Sequence, residues 1–338
     1  MDLILPGLIS FILTAACIPV TIAFAKKFNL VDNPQKRLHP AHTQQRIVPR
    51  AGGLAVFIGI IFAITAFLPF QTSTIGIIIG LFILLLIGLL DDKYHNFSPY
   101  LRLAGQVLAA GAAVYSGVSI PFITNPLGGI LYFGPIADLL ALIWIVWVMN
   151  MLNWSKGVDG QMPGVSVVSA TVLGLLSLKL NSSPELAFIT AGAALGLLVF
   201  NWHPAKIFPG FSGSGILGFM IAVLAILSGG KLATAGLVLL IPATDFAYTF
   251  FRRILQGKSP VWGDRGHLHH KLLEKGLTHE QIALFYISGS VILGAAALSL
   301  TSSGKLFAAS LVGIIILGAI LWLNFFGRFS KQSVPDNG

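Results

Sequence analysis

Charge and cysteine are both scarce in this chain. Asp, Glu, Lys and Arg make up 10% of its 338 residues, where a soluble domain carries roughly 25%. That shortage excludes an ordinary water-soluble enzyme, and 55% hydrophobic residues with a mean hydropathy of +0.86 argue the same way. The single cysteine, Cys17, sits inside an apolar run, which excludes a disulfide framework and a cysteine metal site. There is no aromatic RNP run and no zinc-finger spacing, so the basic excess of 21 Lys and Arg over 12 Asp and Glu is not read as nucleic-acid binding. It is read as anchoring against an anionic leaflet. The opening Met-Asp-Leu-Ile-Leu-Pro lacks the basic region of a cleaved signal peptide, and the first apolar segment is read as a retained helix.

What the chain does hold is apolar runs long enough to span a bilayer, which takes about 17 to 25 residues each. Eleven are expected, at about 3–25, 51–69, 73–90, 103–119, 136–153, 164–180, 185–201, 214–229, 231–250, 281–300 and 305–326. The fold class is therefore an all-α polytopic membrane protein of about eleven transmembrane helices. Residues 1–327 form a single integral membrane domain, and 328–338 form a short basic cytosolic tail. With the N-terminus outside and the C-terminus inside, only Lys179, Lys231 and Lys305 of the 21 basic residues fall on external loops. That bias satisfies the positive-inside rule and places an active cleft on the cytosolic side of the inner membrane. The uncharged 120–135 loop, with Pro121, Pro126, Gly128, Gly129 and Pro135, reads as a turn-rich hairpin.

The residues able to do chemistry collect on the basic loops. Asp91-Asp92 closes an apolar run, where paired carboxylates are costly to place; they suit a base, a Mg²⁺ ligand, or a helix end solvated beside Lys93. Asn150 and Asn153 share a helix face and lead into Lys156-Gly157-Val158-Asp159-Gly160, a turn whose amides can cradle phosphate or simply cap the helix. Lys206 precedes Gly210-Phe211-Ser212-Gly213-Ser214, a helix entry able to receive an anion. Asp264-Arg265-Gly266-His267-Leu268-His269-His270 is dense in imidazole, and with no upstream His–Glu or Cys partner a nucleotide grip ranks above a metal site. Arg50, in the first internal loop, suits a pyrophosphate or a lipid phosphate, or membrane anchoring.

In this order, the segments resemble the polyprenyl-phosphate N-acetylhexosamine-1-phosphate transferases, glycosyltransferase family 4. That family includes the undecaprenyl-phosphate GlcNAc-1-phosphate transferases and the phospho-MurNAc-pentapeptide translocases. The resemblance runs from Pro49-Arg50 to the histidine loop; Gly88-Leu-Leu-Asp91-Asp92, Ser98-Pro99, Leu103-Ala-Gly105-Gln106 and Asp264–His270 are intact, and Pro242-Ala-Thr-Asp245 with Arg252-Arg253 fits the ninth helix. It implies transfer of a sugar 1-phosphate from a UDP-N-acetylhexosamine to a membrane polyprenyl phosphate in envelope glycan synthesis, with Mg²⁺ and release of UMP. UDP-GlcNAc is the expected donor, and a homodimer is left open. Asp91, Asp92 and Asp159 would be catalytic, with Asp92 and Asp159 on the metal. Arg50, Asn150, Asn153, Lys156, Lys206, Arg265, His267, His269 and His270 would bind substrate.

Two positions depart from the family pattern. Lys156 stands where the family reads Asp, and Phe211 stands where it reads a metal-binding Asp. Three readings follow: Lys156 neutralises diphosphate charge in place of a metal, the remaining acids still hold Mg²⁺, or the chain binds ligands without transferring. A transporter is a further alternative of a different class, and it would place its polar groups near the bilayer midplane.

Overall fold

The computed structural model describes residues 4–33, 46–94, 97–126, 128–229, 231–259 and 266–325. Arg265 and the 328–338 tail lie outside the described residues.

Three of the long helices take their ends from local chemistry. Helix α1, Leu5–Lys27, begins with Pro6 in its first turn and ends on Lys26 and Lys27, cations that suit a helix C-terminus. Two residues of β1, Val31–Asp32, then pair antiparallel with β2, Val48–Pro49, which leads into α2, Gly52–Phe67. Helix α3, Thr72–Lys93, carries Asp91 and Asp92 in its last turn. Helix α4, Pro99–Tyr115, again starts on proline. The uncharged loop is a hairpin, with β3 (Phe122–Thr124) antiparallel to β4 (Ile130–Tyr132). Then follow α5, Ala137–Trp154; α6, Gln161–Lys179; α7, Glu185–Asn201; and α8, Gly210–Leu227.

The ninth expected span is broken. Helices α9, Leu232–Val238, and α10, Leu240–Leu255, meet at an angle of 84°. Pro242 explains the break, because it has no N–H to donate and its ring would collide with the carbonyl of Val238, four residues back. A short α11, Leu268–Glu274, precedes α12, His279–Ser299. Thr278 and Gln281 close a reciprocal capping box at the start of α12. Helix α13, Ser302–Phe325, follows.

Each of the eleven expected ranges therefore coincides with a helix, or for the ninth with a bent pair. Among the described residues, seven helices are long and apolar enough to cross a membrane, and the bent pair makes eight if counted as one span. Helices α2 and α7 are apolar but shorter.

Helix α8 is the axis of the bundle. It is apolar around its whole circumference, 94% of its apolar window is buried, and α2, α3, α5, α6 and α7 pack round it. A helix buried on all sides is hydrophobic on all sides. With lipid as solvent there is no hydrophobic gain from helix pairing, so close packing must hold the bundle together. Small residues allow it: Gly88 of α3 meets the backbone of Ser212, and Gly218 of α8 meets that of Met149. The consequence for the site is positional. The N-terminus of α8 is brought against the C-terminus of α3 and the residues that follow α5.

Candidate active site

The two carboxylates at the end of α3 are buried, each about 1% exposed, and both are surrounded by donors. Arg50 lies just before α2 because its backbone N–H bonds Leu30 O and Phe208 N–H bonds Pro49 O. From there its guanidinium spans the pair, 3.1 Å from Asp91 Oδ2 and 3.2 Å from Asp92 Oδ1. Arg102, from the second turn of α4, pairs with the other Asp91 oxygen.

Asp92 also caps α8. It accepts from Phe211 N–H at 2.7 Å, from Ser212 N–H at 3.4 Å and from the Ser212 hydroxyl at 2.7 Å. A carboxylate is the charge a helix N-terminus favours. Gly210 makes this approach possible. Its φ is +71°, and a Cβ there would collide with the Asp92 carboxylate. By sequence this helix entry suits an external anion; in the structure the amides of Phe211 and Ser212 already serve Asp92.

Lys156 completes this half. Its side chain is half-buried, and its ammonium donates to Gly210 O at 3.2 Å. It lies 5.8 Å from the centroid of the Phe211 ring, as does the guanidinium carbon of Arg102. Phe211 itself is 2% exposed. Burial, with Arg50 close by, pushes the Lys156 ammonium down to about 7; Asp91 and Asp92 oppose that fall and Arg102 adds to it.

The second half is built from imidazoles. Asp245 of α10 receives His267 Nδ1–H at 3.1 Å and the backbone N–H of Leu268 at 2.7 Å. That bond ties the histidine segment to α10. His267 and His269 stack at 5.4 Å between centroids, with His270 4.3 Å from His269. Trp154 lies edge-on to His267 at 5.2 Å. Burial, reinforced by His270, His267 and His279, pulls His269 well below the ordinary histidine value, so it is neutral at physiological pH.

The turn at 155–160 joins the halves. Lys156 reaches Gly210 on one side. On the other, the His269 ring fills the space where a Gly157 side chain would be. Asp159 receives His203 Nδ1–H at 2.8 Å and Ala205 N–H at 3.1 Å, while its own N–H donates to His279 Nδ1 at 3.4 Å. Asn201 locks the same turn, accepting Gly160 N–H at 3.0 Å and donating to Ile207 O at 2.9 Å. The ligand atoms of Asp159, His203 and His279 lie within 4.8 Å of one another.

Of the expected site residues, Asp91, Asp92, Arg50 and Lys156 meet in one cluster, and His267, His269 and His270 in the other. Asp159 belongs to the turn between them, bonded to His203, Ala205 and His279. Asn153 accepts from the Ser214 hydroxyl at 2.9 Å, and Asn150 donates to Gln106 at 2.9 Å, so both tie helices together. Lys206 stands apart: its side chain is exposed and its ammonium rests 6.0 Å from the Phe200 ring. Sequence reasoning passed over Arg102, Asn201, His203, Ser212, Asp245 and His279 as site residues. Asp245 carried a signal, as an acid inside an apolar run. The others looked like ordinary loop and cap residues.

A magnesium ion at Asp92 does not fit the donors present there. Every oxygen of Asp91 and Asp92 is engaged by a cation, an amide or a hydroxyl, an apolar ring fills position 211, and Lys156 brings a positive charge.

A helical bundle whose buried acids, fixed cations and oriented imidazoles meet at helix ends defines a membrane enzyme site suited to phosphate chemistry. Comparison with known proteins narrows the class. The family model described as Glycosyl transferase family 4 matches residues 74–229. A probable undecaprenyl-phosphate N-acetylglucosaminyl 1-phosphate transferase of Bacillus subtilis is 30% identical over 335 residues, covering 94% of this chain and 86% of that protein. A decaprenyl-phosphate N-acetylglucosaminephosphotransferase of Mycolicibacterium smegmatis is 30% identical, covering 95% and 87%. An undecaprenyl-phosphate alpha-N-acetylglucosaminyl 1-phosphate transferase of Thermotoga maritima is 31% identical over 274 residues, 80% of each chain. The chain belongs to glycosyl transferase family 4.

Proposed function

We propose that the protein transfers N-acetylhexosamine 1-phosphate, GlcNAc 1-phosphate first among the candidates, from its UDP derivative to a membrane polyprenyl phosphate. The relatives are named for this reaction. The observation that carries the reading is the 155–160 turn, which touches the charged cluster through Lys156 and the histidine cluster through Gly157. A diphosphate bridging a nucleoside and a sugar needs such a divided site. One half neutralises charge and the other grips the nucleoside end.

In the reaction an oxygen of the lipid phosphate bonds to the sugar-bearing phosphorus. The bond from that phosphorus to the bridging oxygen breaks, and its electron pair leaves with UMP. The acceptor attacks as its anion and UMP departs as an anion, so no net proton transfer is required. Catalysis is then mainly alignment and charge stabilisation. In this reading Arg50, Arg102 and Lys156 hold phosphoryl oxygens, Asp91 and Asp92 fix those cations in place, and the His267–His270 segment binds the nucleotide. Asp159 with His203 and His279 sets the turn that aligns the two. The protein sits N-out and C-in across the inner membrane with eleven spans, its cleft on the cytosolic face. The site groups gather at the ends of α3, α5 and α8, which favours an interfacial enzyme over a transporter with midplane sites.

The test is transfer of labelled sugar 1-phosphate from UDP-GlcNAc to undecaprenyl phosphate by the purified protein. Labelled lipid and stoichiometric UMP are expected. Absence of both with every UDP-N-acetylhexosamine supplied would overturn the reading.

A further inference from the structure

Five charged side chains meet at the junction of α3, α4 and α8: Arg50, Arg102 and Lys156 against Asp91 and Asp92. Their formal sum is one positive charge. A buried site with that surplus attracts an anion and repels a further cation.

A divalent ion entering here would need carboxylate oxygens, and each is already engaged. Taking Asp92 would mean giving up the amides of Phe211 and Ser212 at 2.7 and 3.4 Å, leaving buried donors unpaired in the first turn of α8. It would also mean giving up Arg50, which Asp91 and Asp92 share. Phe211 offers a ring in place of an oxygen, and that ring lies beside two cations at 5.8 Å each. The Lys156 ammonium, meanwhile, has three protons, and Gly210 O at 3.2 Å takes one.

We propose that this protein carries out phosphoryl transfer with no divalent metal at the Asp91–Asp92 site, the Lys156 ammonium supplying the positive charge that meets the diphosphate. The inference rests on the proposed transfer and assigns its charge-stabilising group. Lys156 lies one residue from Gly157, against which His269 packs, so one short turn delivers the ammonium and the nucleotide grip to the same diphosphate. The lipid-phosphate oxygen bonds to the sugar-bearing phosphorus as that phosphorus loses the bridging oxygen, whose electron pair leaves with UMP. Lys156 neither gains nor loses a proton in the step; it stabilises charge on the oxygens around the sugar-bearing phosphorus.

Two measurements on the unmodified protein decide it. Transfer from UDP-GlcNAc to undecaprenyl phosphate is followed in excess EDTA and in Mg²⁺, and Mn²⁺ binding is titrated by electron paramagnetic resonance. Expected are equal rates in both conditions and no stoichiometric Mn²⁺ that depends on Asp92. Lys156→Met then lowers turnover about 100-fold or more, as loss of a transition-state charge partner does, with partial recovery in Lys156→Arg. The double variant Lys156→Asp with Phe211→Asp gains one Mn²⁺, and Asp92→Asn removes it. Turnover that EDTA abolishes, or a wild-type Mn²⁺ site lost in Asp92→Asn, would overturn the proposal. Mn²⁺ held through Asp159, and released by His203→Gln but not by Asp92→Asn, leaves Asp92 metal-free and supports it. Absence of transfer in both conditions would count against the proposed reaction, and the Mn²⁺ titration would still decide the metal question.

Discussion

The two halves of the site solve the problem of burying polar groups in opposite ways. Around Asp91 and Asp92 the groups carry full charge, and each carboxylate is matched by arginine, amide or hydroxyl. Around Asp245 and Asp159 the partners are imidazoles, and one acid orients one or two rings. Coulomb attraction sets the first arrangement, which tolerates small shifts because it acts over distance. Hydrogen-bond direction and ring packing set the second, which does not. The difference bears on specificity in the proposed reaction: there the charged half would hold the diphosphate, and the histidine half would read the group attached to it.

Breaking the charged half has the largest expected effect. Arg50→Met leaves Asp91 and Asp92 without their shared partner, and removal of one member of a buried pair costs about 3–5 kcal/mol. A fall in Tm of many degrees in detergent, with turnover lost, is the expected result. An unchanged melting curve would show that the pair is not held by Arg50.

In the histidine half the loss is expected in function more than in folding. Asp245→Asn keeps the shape but weakens the hold on the His267 ring and Leu268 N–H, and disturbing a ring-orienting partner of this kind costs about 10–100-fold in activity. The loss should appear mainly in KM for the UDP-sugar. An equal loss in the KM for the lipid phosphate would dissolve the distinction between the halves.

Gly157→Ala probes the join, since its methyl would displace the His269 ring. Weaker UDP-sugar binding by about tenfold, near 1.4 kcal/mol, is expected while polyprenyl-phosphate binding holds. Isothermal titration with each ligand measures this.

A fourth effect is in pH. Lys156 is lowered to about 7 in the fold against 10.5 unfolded, so its burial penalty is full below pH 7 and is relieved as pH rises toward 10.5. The Tm of Lys156→Met relative to wild type should therefore be most favourable near pH 6 and lose that advantage by about pH 10. A difference that is flat with pH would place the ammonium in solvent.

Much of this was legible in the chain itself. Apolar run length marked out the helices, because a bilayer admits few other ways to satisfy a backbone. Helix ends such as Asp91-Asp92 and the turn at 155–160 stood out because charge is rare enough here for each cluster to be conspicuous. The bend between α9 and α10 was not foreseen, although Pro242 was in view; its consequence depends on a carbonyl four residues back. Lys206 shows the opposite failure. It sits in a suggestive motif, yet its side chain is exposed and rests by the Phe200 ring.

The sequence by itself determined the membrane character, the helical segments and the family, since each depends on local composition or on the order of short motifs. Tertiary structure alone decided the pairing. That Asp92 caps α8, that Asp245 orients His267, and that Lys156 donates to Gly210 O are contacts between residues 22 to 119 positions apart. No local pattern encodes them, because a carboxylate is satisfied by whichever donor the packing of the bundle brings within about 3 Å.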